Sequence, residues 1–311
     1  MSTHVPERPS LWERIGFNPK VAPYFFISPF FILFLIFGLY PIGYSAYISL
    51  FDARLAGNRG FVGLDNFTRL FTVDEFFSKA MVNTFILLIF GSLLQHLIAI
   101  PLAIMVNNPR TRGRHVIKAL FFAPYITSSV AAVIIFGMVF DQNYGFLNWV
   151  LEGLFGIEEG FRWLTRGGPI KAAIAIMLNW RFVGFNMVLY LAGLQSIPGE
   201  LYEAAAIDGA SSTQQHRYVT LPLLLPVIFF AVSLSIIGGF QLFEEPFVLL
   251  GGTYGAFGGP GQGGLTAAYY IMWLGFGTGR LGRGSAVAWI LFLVIILFTF
   301  VNRVITNRLR A

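Results

Sequence analysis

Six long apolar segments constrain the fold of this chain more than any other feature of its sequence. A helix that crosses the hydrocarbon core of a bilayer needs about 20 predominantly apolar residues. Six segments meet that requirement: Tyr24–Leu50, Ala80–Val106, Ala119–Phe140, Ile170–Leu194, Leu221–Leu250 and Gly284–Val304. The sequence therefore predicts an all-α polytopic membrane protein with six transmembrane helices, whose transmembrane domain spans residues 24–304.

The composition supports a membrane environment. Charged residues make up 12% of the chain and hydrophobic residues 56%, whereas soluble domains carry about 25% charged residues. So few charges cannot cover a surface that faces water, and we expect much of the surface to face lipid. The chain contains no cysteine, which excludes disulfides, thiol catalysis and cysteine metal sites.

Basic residues near the ends of the apolar segments predict the orientation, because cytoplasmic loops are enriched in Lys and Arg. The connection between the second and third segments carries four basic residues and no acid: Arg110, Arg112, Arg114 and Lys118. The two tails, residues 1–23 and 305–311, also carry basic residues, and an even number of spans puts them on the same side as this connection. We expect both tails to be cytoplasmic. The first apolar segment exceeds the roughly 7–15 residues of a signal-peptide core, so we expect it to be an uncleaved span.

The connection before the last span begins with a glycine-rich stretch and continues as an aromatic segment, Leu265–Phe276. This segment is short for a span, and we interpret it as an interfacial or re-entrant helix. The alternative, a seventh span, would put the two tails on opposite sides and break the charge pattern.

The connection between the fourth and fifth spans, residues 197–222, is named the elbow here. Glu200–Ile207 is rich in Ala and Leu and should be helical, after which Gly209 permits a sharp turn. Ser211 and Gln214 have capping-box spacing, which predicts a second short helix. Pro222 suits the first turn of the next span. The sequence therefore predicts a helix–turn–helix that lies on the cytoplasmic face.

The elbow resembles the EAA loop of binding-protein-dependent ABC importer permeases. That loop reads Glu-Ala-Ala, then Asp-Gly-Ala, then an apolar residue followed by Thr-Leu-Pro. The matching residues are Glu203, Ala204, Ala205, Asp208, Gly209, Ala210, Val219, Thr220, Leu221 and Pro222. Where the family often has aromatic residues in the second helix, this chain has Thr213 and His216. The alternative reading of these residues is an ordinary capped connector.

The resemblance implies that the elbow is a coupling helix that docks onto a separate ATP-hydrolysing subunit. Ala204 and Ala205 would allow close helix approach, and Glu203 and Asp208 would face basic groups or helix ends of that partner. The chain itself has no Gly-x-x-x-x-Gly-Lys-Ser/Thr phosphate loop. ATP and Mg²⁺ would therefore belong to the ATPase, and this chain would have no cofactor and no catalytic residue.

A second resemblance, to carbohydrate-type permeases of the maltose type, rests on the region from Ala172 onward. It includes Trp180-x-x-x-Gly184-Phe185-Asn186 and the stretch Phe240–Leu250. It implies import of a disaccharide or oligosaccharide across the inner (plasma) membrane of a prokaryote, and the insert Thr253–Gly264 resembles permeases for cellobiose-like sugars. The implied partners are ABC ATPase subunits, a second homologous permease, favoured as a heterodimer, and an extracytoplasmic sugar-binding protein.

A sugar pathway needs hydrogen-bonding side chains and aromatic faces, and by resemblance the fourth and fifth spans line it. Our candidates are Asn179, Trp180, Phe185, Asn186, Tyr190, Gln241, Phe243, Glu244 and Glu245. Ionisable residues within spans tend to face a cavity or to pair. Arg181 therefore either bridges to Glu244 or Glu245, or contacts the sugar.

Other polar and aromatic residues have more than one reading. Gln95 and His96 are expected to form interhelical hydrogen bonds rather than to bind ligand. We favour an interfacial aromatic belt for Tyr269, Tyr270 and Trp273, over an outer gate or a contact for the binding protein.

Two other classes of protein fit the sequence less well than an ABC permease. An ion-driven secondary transporter or channel would show internal repeats, and none is convincing. A membrane-embedded enzyme would need a catalytic constellation, but the four histidines have no metal-ligand spacing: they are His4, His96, His115 and His216.

Overall fold

The computed structural model describes residues 19–156, 160–252 and 257–310, without the side chains of residues 309 and 310. Most of the N-terminal tail and part of the glycine-rich insert therefore lie outside the described residues. The described part is almost entirely helical. Its elements, in chain order, are α1 (Ala22–Ser49), β1 (Phe51–Arg54), β2 (Gly57–Phe61), α2 (Asp65–Thr72), α3 (Glu75–Asn107), α4 (Arg114–Ile126), α5 (Ser129–Val139), α6 (Phe146–Phe155), α7 (Gly167–Gln195), α8 (Gly199–Ile207), α9 (Ser212–Phe240), α10 (Glu244–Leu249), α11 (Ala267–Met272) and α12 (Leu281–Arg310).

Five helices of the described chain are long and apolar enough to cross a membrane: α1, α3, α7, α9 and α12. The pair α4 and α5 passes the same test only when the two helices are taken together, and makes a sixth span if both belong to one crossing. The predicted helical membrane fold is thus confirmed, with five to six apolar spans. The strands β1 and β2 form only a small antiparallel hairpin between the first two spans.

The third span is not the continuous helix that we predicted over Ala119–Phe140. It consists of α4 and α5, which are bent by 100° relative to each other. Thr127 and Ser128 at the break have extended backbone, with ψ of 140° and 133°. The Thr127 hydroxyl donates to the carbonyl of Ala123 at 3.1 Å, a local hydrogen bond of the kind that competes with helix continuation.

The fifth span also differs from the prediction of Leu221–Leu250. Helix α9 begins nine residues earlier, at Ser212, and ends at Phe240. A break at Gln241 and Phe243 follows, and the short helix α10 occupies the rest of the predicted segment. Because α9 ends at Phe240, polar backbone groups lie near Gln241. Gln241 lines a cavity rather than facing lipid. Irregular backbone at membrane depth requires such a setting.

Helix α7 lies at the centre of the bundle. Half of its most apolar 18-residue window is buried, against none of the corresponding window of α1. It packs so closely against α4 that a Cβ atom added at Gly184 would overlap the carbonyl oxygen of Phe121. A glycine is therefore required where α7 crosses α4. Helix α1, whose apolar window is not buried, contributes mainly lipid-facing surface.

The direction of the spans follows from contacts between them. Asn83 and His96 of α3 contact Lys171 and Tyr190 of α7 in the same order, so these two helices are parallel. Helix α9 is antiparallel to both, because its Ser235 contacts His96 of α3 whereas its later Phe240 packs against the earlier Phe85. The elbow therefore lies at one end of the bundle. The hairpin, α2, α10 and α11 lie at the other end.

The short helix predicted before the last span is found as α11, which continues through one π-helical turn, Trp273–Gly277. The prediction of an interfacial aromatic belt is wrong for two of its three residues. Tyr269 and Tyr270 are buried, and the Tyr270 hydroxyl donates to Asp74 at 2.6 Å. They are buried because α11 packs between the start of α3 and the last span.

Candidate functional site

A cavity of about 470 Å³ opens between α3, α4, α7 and the end of α9. Polar side chains and aromatic rings share its wall. The polar residues are Ser92, Asn186, Ser235, Gln241, Glu244 and Glu245, and the aromatic residues are Tyr125, Phe182, Phe185 and Phe243. Both helix breaks contribute to this wall: α4 ends beside it, and the segment after α9 forms one side.

Six of the nine predicted pathway residues line this cavity: Phe185, Asn186, Gln241, Phe243, Glu244 and Glu245. Asn186 is 2% exposed, and its Oδ1 atom has no hydrogen-bond partner among the described residues. Its Nδ2 atom donates to the carbonyl of Phe182 at 3.2 Å. A buried amide oxygen without a partner costs free energy, and a hydroxyl donor in the cavity would satisfy it.

The other three predicted pathway residues lie elsewhere. Asn179 donates to the carbonyl of Phe90 at 2.7 Å, and Trp180 packs against Phe136 with ring centroids 5.0 Å apart. Tyr190 is fully buried against His96. These side chains point from α7 toward α3 and α5, so they tie helices together instead of lining the cavity.

The structure decides how Arg181 is paired. Its Nη1 atom lies 3.2 Å from Oε1 of Glu245, and the two side chains are 14% and 12% exposed. Glu244 has a different partner, because it accepts a hydrogen bond from the Ser129 hydroxyl at 2.5 Å. The ion pair joins α7 to α10, and the Ser129–Glu244 bond joins α5 to α10. Both interactions hold α10 against the bundle.

The expected interhelical role of Gln95 and His96 is confirmed. Gln95 donates to the Ser235 hydroxyl at 3.2 Å, and Nε2 of His96 lies 3.0 Å from the same oxygen. Sequence reasoning missed Ser92, Tyr125 and Ser235 as cavity residues, because no motif marks them. The available signal was a hydroxyl residue in an apolar span, which tends to face a helix or a cavity.

The elbow has the predicted helix–turn–helix form. Helix α8 has no buried residue, Gly209 has a φ of +80°, and Ser211 and Gln214 form the capping box. One detail differs: the second helix is not separate. It continues through a π-helical turn, His216–Thr220, directly into the fifth span, because no residue between them interrupts the helical backbone.

Thr220, one of the residues of the EAA pattern, anchors the elbow. It is 1% exposed, and its hydroxyl lies 2.9 Å from that of Tyr202 on α8. His216 contributes a further contact, with Nδ1 at 3.2 Å from the same Thr220 oxygen. These bonds fix α8 to the root of α9, so the exposed helix and the fifth span are mechanically connected.

The described residues contain no group of three or more His, Cys, Asp or Glu side chains that is placed to hold a metal ion. The chemistry of the cavity wall is instead that of hydrogen bonding and ring stacking.

Comparisons with known proteins agree on one family. The model of the binding-protein-dependent transport system inner membrane component matches residues 97–311. The chain is 34% identical to the arabinooligosaccharides transport system permease protein AraP of Bacillus subtilis (strain 168), over 94% of this chain and 90% of that protein. It is 35% identical to the lactose transport system permease protein LacF of Rhizobium radiobacter, over 91% and 93%.

Among solved structures, a chain of a bacterial alginate ABC transporter in complex with an alginate pentasaccharide-bound periplasmic protein superposes with a TM-score of 0.79. It is 24% identical and covers 96% of this chain and 98% of that chain, a similarity that shows a shared fold. The family match covers well over half of the sequence and both relatives match almost end to end. The chain belongs to the family of binding-protein-dependent transport system inner membrane components and is a transporter permease subunit, not an enzyme.

Proposed function

We propose that this chain is the permease subunit of an ATP-driven ABC importer and forms half of the pathway for a disaccharide or oligosaccharide. The observation that carries the proposal is the continuity of α9. One end of this helix belongs to the exposed elbow, and the other end forms a wall of the cavity. A force applied at the elbow is therefore transmitted to the cavity along a single helix.

The elbow is suited to receive a partner. No residue of α8 is buried, and Ile207 at its end is 86% exposed. The residues of α8 therefore remain accessible to another protein. The residues that we assign to the contact with an ATPase are Glu203, Ala204, Ala205, Asp208, Gly209, Ala210, Leu221 and Pro222. Since an ATPase of this kind is cytoplasmic, both tails would be cytoplasmic too.

Three kinds of partner complete the importer. Two ATPase subunits would bind ATP and Mg²⁺, a second homologous permease would close the cavity, and an extracytoplasmic binding protein would deliver the sugar. The named relatives belong to transport systems for arabinooligosaccharides and lactose, and the alginate transporter was crystallised with a periplasmic protein. Closure of the ATPases would open the cavity outward, and hydrolysis would reset it.

The cavity wall supports a sugar as cargo. Asn186, Gln241 and Ser92 offer hydrogen-bonding groups, and Phe185 and Phe243 offer ring faces. Sugars present hydroxyls at their edges and apolar faces on their rings, so both kinds of group are needed. Asn179, Trp180 and Tyr190 keep a supporting role in this proposal, since they position α7.

Purification followed by reconstitution tests the proposal. Tagged chain extracted from its native membrane should retain an ATPase subunit, and the complex in liposomes should take up sugar only when ATP and the binding protein are present. An ion-driven transporter would instead move substrate without an ATPase, under an ion gradient. Sugar uptake by the isolated chain under such a gradient would contradict the proposal.

A further inference from the structure

Glu244 brings an uncompensated charge to the cavity. The charged residues that line it are Glu244 and Glu245, within the part of the chain that the structure describes. Glu245 forms an ion pair with Arg181. Glu244 is held only by a neutral donor, the Ser129 hydroxyl at 2.5 Å, and has no ion pair among the described residues. The other polar lining groups are neutral.

The position of Glu244 places it ahead of the deeper polar groups. It follows the end of α9 that lies opposite the elbow, whereas Ser92 lies at the middle of α3 and Asn186 lies in the half of α7 nearer the elbow. A solute that enters from the side opposite the elbow therefore meets the Glu244 carboxylate before it reaches Asn186. The Ser129 hydroxyl holds that carboxylate at the bend between α4 and α5.

We propose that Glu244 makes this cavity select neutral saccharides against anionic ones. A sugar that carries a carboxylate or a phosphate is repelled by Glu244, whereas an uncharged sugar can use the same carboxylate as a hydrogen-bond acceptor. Two like charges about 5 Å apart at an effective dielectric constant of about 20 lower affinity by on the order of a hundredfold. The inference rests on the proposed sugar import and assigns its substrate class.

The fold itself does not impose this charge preference. The superposable chain belongs to a transporter of the acidic polysaccharide alginate, so one architecture serves an importer of acidic sugars. The charge at individual lining positions is therefore free to differ between chains of this fold, and Glu244 is such a position in this chain.

The test measures sugar binding to the purified complex of permeases and ATPases, without the binding protein, in nanodiscs by isothermal titration calorimetry. The probes are three neutral trisaccharides, maltotriose, cellotriose and arabinotriose, and the acidic trigalacturonate. We expect the best neutral trisaccharide to bind at least about tenfold tighter than trigalacturonate. Glu244→Gln should reduce this ratio about tenfold or more by strengthening trigalacturonate binding, with the neutral affinity changed by less than about threefold.

Two further variants separate charge from structure. Ser129→Ala removes the hydrogen bond and keeps the charge, so it should keep the preference for neutral sugar. Glu152→Gln makes the same charge change on the exposed surface of α6 and should leave the ratio unchanged. A ratio that Glu244→Gln does not alter would overturn the inference while leaving sugar import intact. Binding of none of the four saccharides would overturn the proposed function and this inference together.

Discussion

The hydroxyl of Tyr190 lies 2.7 Å from Nδ1 of His96, and both side chains are buried within the bundle. The other ring nitrogen of His96 lies 3.0 Å from the hydroxyl of Ser235. One imidazole thus joins α3, α7 and α9. Because Ser235 also lines the cavity, this interhelical connection is in direct contact with the site proposed for the cargo.

Removing the Tyr190 hydroxyl should destabilise the bundle. Tyr190→Phe leaves one nitrogen of His96 without a partner, and we expect a loss of about 1 kcal/mol. The midpoint of thermal unfolding of the purified protein in detergent would fall accordingly. Tyr218→Phe is the matched control, because Tyr218 is 68% exposed. Equal midpoints for the two variants would contradict an energetic role for the Tyr190–His96 bond.

The crossing of α4 and α7 should not tolerate a methyl group. Gly184→Ala places a Cβ atom against the backbone of Phe121, which cannot move without shifting a helix. We expect a loss of at least about 1–3 kcal/mol, measured as a reduced yield of folded protein and a lower unfolding midpoint. Gly137→Ala, inside helix α5 with no neighbouring atom within 4 Å, should lower neither. Normal folding of the Gly184 variant would show that the two helices pack less closely.

Removing one charge of the Arg181–Glu245 ion pair should destabilise the protein more than removing both charges. Arg181→Met leaves Glu245 buried without its counter-charge, and such a change costs about 3–5 kcal/mol. The double variant Arg181→Met/Glu245→Gln removes both charges and should recover much of that loss. Chemical unfolding of the three proteins provides the measurement. A double variant as unstable as the single one would mean that the charges do not interact.

The turn of the elbow depends on a left-handed residue. Gly209 has a φ of +80° with no atom near its absent Cβ, so Gly209→Ala adds backbone strain of about 1–2 kcal/mol rather than a clash. We expect the reconstituted importer to lose most of its ATP-driven uptake while its central cavity still binds sugar. Gly199→Ala, within the helical part of the same elbow, should transport normally. Unchanged uptake in the Gly209 variant would argue against coupling through this turn.

Local sequence signals predicted the elbow and the spans well. The capping box at Ser211 and Gln214 and the turn at Gly209 depend on residues within one or two helical turns, so their conformations follow from neighbours along the chain. The apolar spans are equally local, because each must be long enough to cross a bilayer. The continuity of a span is not set by local sequence in this way, as the bend at Thr127 and Ser128 shows.

The sequence by itself determined the membrane class, the apolar character of the spans and the elbow with its turn. Only the tertiary structure decided that Arg181 pairs with Glu245 and not Glu244, and that Tyr190 contacts His96 instead of the cavity. A sequence pattern does not distinguish between two adjacent carboxylates as partners of an arginine. It also does not show which residues of one helix face the cavity. Their partners come from segments far away in the chain, and helix rotation and packing decide which of them meet.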